Sequence, residues 1–198
     1  MLKTVKHDAK ADFLLEKGME ILWSKGYNGT SVNDIVKAAD VPKGSFYFYF
    51  DSKEDFAVKA IDKYFNGHFA LAKEILEDKS ISPKQRLHDF HEFRYNILKN
   101  EMCCKMGCLA SNLGNEMSEH SERIRIAIFV KEEILLSLIT NVIQEAKDLG
   151  EINNPMKAEV IAAFIEDAGK GSMISMKEMK SSEPIDNFMI IVKEVLLQ

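Results

Sequence analysis

Three cysteines, Cys103, Cys104 and Cys108, fall within six residues of a 198-residue chain that has no others. A thiol does chemistry as its thiolate, by nucleophilic attack, disulfide exchange or soft-metal ligation. Zinc needs a fourth donor at matching spacing, and His120 stands twelve residues beyond Cys108 with no second histidine beside it, so no metal is expected. Cys108 opens a helical stretch, where unpaired backbone N–H groups and the nearby Lys105 favour the thiolate, which makes it a candidate sensor with Cys103 and Cys104 as resolving thiols. Its structural alternative is a small residue buried in a core. His88, His91 and Tyr95 lie at i, i+3 and i+7, on one face of a helix, with Phe93 close by. His91, Phe93 and Tyr95, with Leu113 and Phe129, are candidates to line a pocket for an apolar or weakly polar ligand. Nothing pairs a His, Asp or Asn with a thiol in an evident catalytic order, which argues against a thiol enzyme. Gly169-Lys170-Gly171-Ser172 looks like the end of a phosphate loop, but Phe164 stands where its first glycine belongs. No cofactor is expected.

The second constellation is near the start. Gly26-Tyr27-Asn28-Gly29-Thr30-Ser31-Val32-Asn33-Asp34-Ile35 is followed by Val41-Pro42-Lys43-Gly44-Ser45-Phe46-Tyr47-Phe48-Tyr49-Phe50 and Ser52-Lys53-Glu54-Asp55-Phe56. Two short helices joined by a tight corner and braced by a third make a helix-turn-helix. Gly44 and Ser45 are small enough for a helix start to approach a groove wall, and Lys43 and Lys53 sit at opposite ends, each within reach of a phosphate. Thr30 and Asn33, at the start of the preceding helix, are further candidate backbone contacts, and Thr30 is also a candidate cap. Phe46 and Phe50, four apart, are expected in the core. Tyr47 and Tyr49 offer hydroxyls to phosphate, and Phe48 an apolar contact for a thymine methyl.

These residues resemble the TetR family of one-component transcriptional regulators, over roughly residues 10 to 60 without a gap. The resemblance implies a DNA-binding head and a helical body that takes a small effector and dimerises through its last two helices. It also implies a repressor that leaves a palindromic double-stranded operator when the effector, a small molecule or a thiol-reactive one, binds. Gly107-Cys108-Leu109, then Asn112-Leu113, then Glu116 looks like a segment found in one branch of these regulators, some of which sense electrophiles or oxidants through a cysteine. One departure stands out. The recognition helix lacks Arg, Asn and Gln, the side chains that read guanine or adenine bidentately. Shape readout and the lysines of the leading segment, Lys3, Lys6 and Lys10, would then contribute more.

The elements that must position these residues read as helices almost throughout. Leu14, Leu15, Gly18, Ile21 and Leu22 form one stripe, ended by Gly26. Short helices are predicted from Val32 to Ala39 and from Lys43 to Tyr49, and a longer one from Ser52, with Asp55 in capping-box spacing, to Asp78. Others are predicted over 84–100, 108–116, 122–149, 156–179 and 185–197. The fold class is all-α, with a helix-turn-helix domain over 8–66 and an effector-binding and dimerisation domain over 67–198. Val160, Ile161, Phe164, Ile165 and Ala168 on the first of the last two helices, and Phe188, Ile191, Val192, Val195 and Leu196 on the second, form apolar faces wider than one partner needs, as a homodimer would have.

Composition agrees with a folded helical chain: 46% hydrophobic residues, four prolines and a net charge of −5. Up to Asn66 ten lysines balance ten acids, so the negative charge lies wholly in the rest. A neutral head still permits DNA binding where its lysines face one way. No apolar run reaches the ~18 residues of a membrane span, and Met1 to Asp8 carries charges where a signal peptide is apolar, so a cytoplasmic protein without a membrane partner is expected.

Overall fold

The computed structural model describes residues 2–198, with side chains described for residues 9–67 and 70–198. The helices are α1 (Leu2–Lys25), α2 (Val32–Ala38), α3 (Lys43–Tyr49), α4 (Lys53–Glu77), α5 (Pro83–Asn96), α6 (Leu109–Met117), α7 (Glu122–Asp148), α8 (Ala158–Met179) and α9 (Glu183–Ile191). α5 and α9 each run on into a π-helical turn, Ile97–Glu101 and Val192–Leu196. No strand occurs among the described residues. Local chemistry explains most boundaries. Gly26 takes the left-handed conformation (φ +75°) that stops α1. Ser31, one residue beyond the candidate cap Thr30, caps α2 in a reciprocal box with Asp34. The Ser31 bonds hold the Asp34 carboxyl well below the usual carboxylate range. Pro83 opens α5 behind its cap Ser82.

The chain divides into two compact units, Met1–Phe65 with Leu109–Phe129, and Asn66–Cys108 with Val130–Gln198. The unit that holds the helix-turn-helix therefore also includes α6 and the start of α7, although α6 lies more than forty residues downstream of Phe65. In this first unit Gly18 lets α1 cross close over its neighbours. A Cβ there would fall 2.5 Å from Ile35 Cγ2 and 2.6 Å from Phe56 Cζ, both on fully buried side chains. Phe46, Phe50 and Phe56 form a ring cluster with centroids 5.1–5.7 Å apart, which fastens α3 to the start of α4.

The core of the second unit gathers Leu76, Leu87, Phe90, Ile139, Ile143, Ile161, Ile165 and Val192, with Leu197 closing it. Arg86 is buried among them, donates to the Leu76 carbonyl at 2.8 Å and pairs with Glu145 at 2.7 Å. A buried charge is tolerable only when met in this way.

Candidate DNA-reading face and ligand cavity

α3 has one face in the core and one outside. Phe46 and Phe50 are buried, whereas Lys43, Gly44, Tyr47 and Phe48, at i, i+1, i+4 and i+5, form an exposed face. Tyr47 is 58% and Phe48 67% exposed, high for aromatics on a helix of seven residues. A Cβ at Gly44 would meet nothing within 4 Å, so the backbone there is open to close approach. Ser45 and Tyr49 are half-buried at the edges of this face, and Asn33 is exposed at the start of α2. Lys37 and Lys43 are exposed and form no ion pair among the described residues, whereas Lys25 is paired with Asp34 at 3.1 Å.

Two of the expected DNA contacts are placed differently. Thr30 is buried, and its hydroxyl donates to the Gly26 carbonyl at 2.6 Å, closing the turn after α1. Lys53 donates to the carbonyls of Tyr27 at 3.0 Å and Thr30 at 3.1 Å, and its ammonium lies 4.1 Å from the centre of the Tyr27 ring. Carbonyls left over from the turn attract that ammonium, so it braces the corner, with at most one of its three protons left for a phosphate. Lys10, one of the lysines of the leading segment, lies on α1 and is exposed. Lys3 and Lys6 lie outside the described side chains.

Glu116, on α6, completes the corner. Its carboxylate accepts the backbone N–H groups of Tyr27 at 3.2 Å and Asn28 at 3.0 Å. The start of α4 is held similarly: Ser121 donates to Glu54 at 2.5 Å, and Arg123 reaches Glu54 at 3.2 Å.

The second unit contains a small, partly open cavity between α5, α8 and α9. His91, Arg94 and Tyr95 enter it from α5, Met173 from α8 and Phe188 from α9. The Tyr95 hydroxyl donates to Asp186 and accepts from Lys99, and Arg94 is paired with Glu166 at 2.5 Å. His91 is 3% exposed; burial, helped by the charge of Arg94, pushes its imidazole down to about 3, so the ring is neutral. Phe93 is half-buried and does not line this cavity. Leu113 and Phe129 belong to the first unit, one fully buried and the other 54% exposed. Neither lines the cavity, since both lie on elements of the other unit.

The family model for bacterial regulatory proteins of the tetR family matches residues 14–60, and the one for the tetracyclin repressor-like C-terminal domain matches residues 83–192. The chain belongs to the tetR family. The HTH-type transcriptional repressor DhaR of Mycobacterium sp. (strain GP1) is 32% identical to it over 184 residues, covering 93% of this chain and 90% of that protein. The HTH-type transcriptional repressor NemR of Escherichia coli K12 is 27% identical over 203 residues, covering 99% and 98%. Among solved structures, a regulatory protein TetR from Rhodobacter sphaeroides matches with a TM-score of 0.85 at 29% identity, covering 92% of this chain and 96% of that one. As a tetR-family member the chain is a ligand-responsive DNA-binding transcriptional regulator, and such regulators are not enzymes.

Glu116, the acidic residue that ends the segment from Gly107-Cys108-Leu109, holds the turn of the helix-turn-helix. No local pattern announces a carboxylate that serves a backbone 88 residues away. The cysteines themselves form no disulfide: Cys103 is exposed, and Cys104 and Cys108 are half-buried. Cys103 and Cys104 both take positive φ, +48° and +60°, a conformation uncommon outside glycine. No helix of the described residues is long and apolar enough to cross a membrane.

Proposed function

We propose that this protein is a cytoplasmic, homodimeric repressor that places α3 in the major groove of a palindromic operator and is released by a small effector. The observation that carries the reading is the exposed α3 face: Lys43, Gly44, Tyr47 and Phe48 point outward while Phe46 and Phe50 anchor the helix behind them. A helix braced only for packing would not expose two adjacent aromatics. With no Arg, Asn or Gln on α3, base readout rests on Lys43, Ser45 and the apolar edge of Phe48. Shape and deformability of the operator carry much of the rest.

The dimer reading is supported by the ends of the second unit. Val160 and Phe164 on α8 are 51% and 55% exposed; Ile191 and Val195, at the end of α9 and in the π-helical turn after it, are 47% and 51% exposed. Ile161, Ile165, Val192 and Leu196 in the same helices are buried in the protomer, so each helix has a used face and an unused one. A contiguous unused apolar face marks an interaction surface. Gly169, with the Phe188 ring 3.4 Å from where its Cβ would be, serves packing inside the chain, whereas Gly171 is open. Repression, as opposed to activation, is inferred from the relatives DhaR and NemR, both transcriptional repressors.

The chain passes between its units within α4, just before α6 and within α7. These connections are the covalent routes by which a ligand in the cavity is felt at α3. Cys108 stands one residue before α6 and is half-buried, which makes it the place where a thiol-reactive effector acts on that same route. Titration of the gene's own upstream DNA tests the reading: a salt-sensitive, sequence-specific complex of two chains per site supports it, and equal affinity for unrelated DNA refutes it.

A further inference from the structure

We propose that Asn28 is a modification site: its side-chain amide is lost spontaneously, and the resulting isoaspartyl or aspartyl residue unlocks the corner between α1 and α2 and weakens DNA binding. The chain contains two Asn-Gly pairs, Asn28-Gly29 and Asn66-Gly67. In such a pair the backbone nitrogen after the asparagine is least hindered, since glycine has no side chain to crowd its approach. The structure sets the two pairs in opposite surroundings. Asn66 and Gly67 lie inside α4, where the Gly67 N–H belongs to the helical ladder. Asn28 and Gly29 are both exposed in the turn after α1, and the Gly29 N–H donates to nothing among the described residues. Of Asn28 only the backbone N–H is engaged, by Glu116, so its side chain can turn toward that nitrogen. A Cβ at Gly29 would fall 2.4 Å from the Lys25 carbonyl oxygen, so the turn needs glycine there.

The step consumes only water. The Gly29 nitrogen, giving up its proton to base, attacks Cγ of Asn28; the bond from Cγ to the side-chain nitrogen breaks, ammonia leaves and a cyclic imide closes. Water then opens the imide at either carbonyl. One opening leaves an aspartyl residue, the other a main chain routed through Cβ, which is the isoaspartyl form. One water enters, one ammonia leaves, and nothing is oxidised or reduced. The consequence follows from what the corner holds. The Thr30 N–H reaches the Tyr27 carbonyl at 3.2 Å across this pair, and Glu116 accepts the Asn28 N–H at 3.0 Å. A methylene added to the main chain displaces these groups, because Gly29 has no slack against Lys25. The new carboxylate also stands beside that of Glu116, where like charges repel.

The test ages the full-length protein for days in warm neutral buffer and follows both pairs by peptide mass spectrometry with chromatographic separation of isoaspartyl peptides. Asn28 should convert at least about tenfold faster than Asn66, whose turn of α4 must first open. In the converted fraction, hydrogen exchange at the Tyr27 amide should quicken by about tenfold or more, and affinity for the gene's own upstream DNA should fall by a similar factor. Asn28→Gln, whose longer side chain does not close the same ring readily, should age without either change. Asn28→Asp, which adds the charge without lengthening the backbone, should show a smaller loss than the isoaspartyl form. Equal rates at the two pairs, an unmodified Asn28, unchanged exchange or affinity after conversion, or equal losses in aged Asn28→Gln would overturn the proposal. The affinity arm alone rests on the reading of the protein as a DNA-binding regulator. Should the fresh protein bind no specific DNA, that reading fails, while mass spectrometry and exchange still decide the modification.

Discussion

Glu116 and Gly26 are matched so closely that neither position accepts a larger neighbour. A Cβ on Gly26 would lie 2.1 Å from Oε1 of Glu116, and Gly26 already holds a φ of +75°. The carboxylate thus requires the glycine, and the glycine's turn presents the N–H groups that the carboxylate accepts. Glu116→Ala should lower stability by roughly 1–2 kcal/mol through two lost charge-assisted bonds. Gly26→Ala should cost about as much from backbone strain and the clash. In urea unfolding the double variant should lose less than the sum of the two single losses, because the clash vanishes with the carboxylate. Strict additivity would show the two positions to be independent.

Lys43 and Lys53 should separate cleanly. Lys43→Ala is expected to weaken binding to all DNA sequences and to reduce the salt slope by about one phosphate contact, leaving thermal stability unchanged. Lys53→Ala should instead destabilise the fold by about 1–2 kcal/mol, because it frees the carbonyls of Tyr27 and Thr30. Parallel anisotropy and melting curves on both variants check this. A Lys53→Ala protein with full stability and a lost phosphate contact would return that lysine to the DNA.

Much of this head was legible in the sequence. α3 runs over the predicted residues, Phe46 and Phe50 are in the core, and Gly26 ends α1, because helix periodicity, a breaking proline and a C-terminal glycine act locally. Thr30, Lys53 and Glu116 were not legible in their roles. Each serves backbone groups whose orientation exists only once the corner is folded, and a lysine beside a phosphate has the same spelling as one beside two carbonyls. The cavity was half legible: helix spacing put His91 and Tyr95 on one face, but their partners on α8 and α9 come from the far end of the chain. Leu113 and Phe129 looked equally suitable because apolar character does not say which core a side chain joins.

Stability should fall on acidification because of His91. The imidazole, pushed down to about 3, is neutral in the folded protein, whereas the unfolded chain protonates it near 6.5. Between those values the unfolded state binds the extra proton, so the contribution is complete above about pH 6.5 and is lost as pH falls toward 3. From pH 7 to pH 5 this amounts to roughly 2 kcal/mol. His91→Gln should remove that part of the pH dependence in urea unfolding. An identical pH profile for the variant would show that the buried histidine does not differ between the two states.

The apolar ends of α8 and α9 should make the protein a dimer at micromolar concentration. Phe164→Glu combined with Val195→Glu should yield a folded monomer by sedimentation, since both side chains are half exposed in the protomer and little internal packing is lost. A double variant that stays dimeric would move the interface elsewhere.

Brief alkylation followed by mass spectrometry tests the thiol route. Cys108 is expected to react before Cys103 and Cys104, and Cys108→Ser to keep DNA binding while losing release by an electrophile. A protected Cys108 in protein still released by a non-reactive ligand would assign the switch to the cavity alone.

The central claim is that the outward face of α3 reads DNA. The most direct measurement is the affinity of a Tyr47→Ala/Phe48→Ala variant for the gene's own upstream DNA, by fluorescence anisotropy against an unrelated duplex. Both side chains are exposed, so the variant should fold and dimerise as the parent does. It should lose at least tenfold in specific affinity while its weak binding to the unrelated duplex changes little. Unchanged specific affinity in the folded variant would contradict the account.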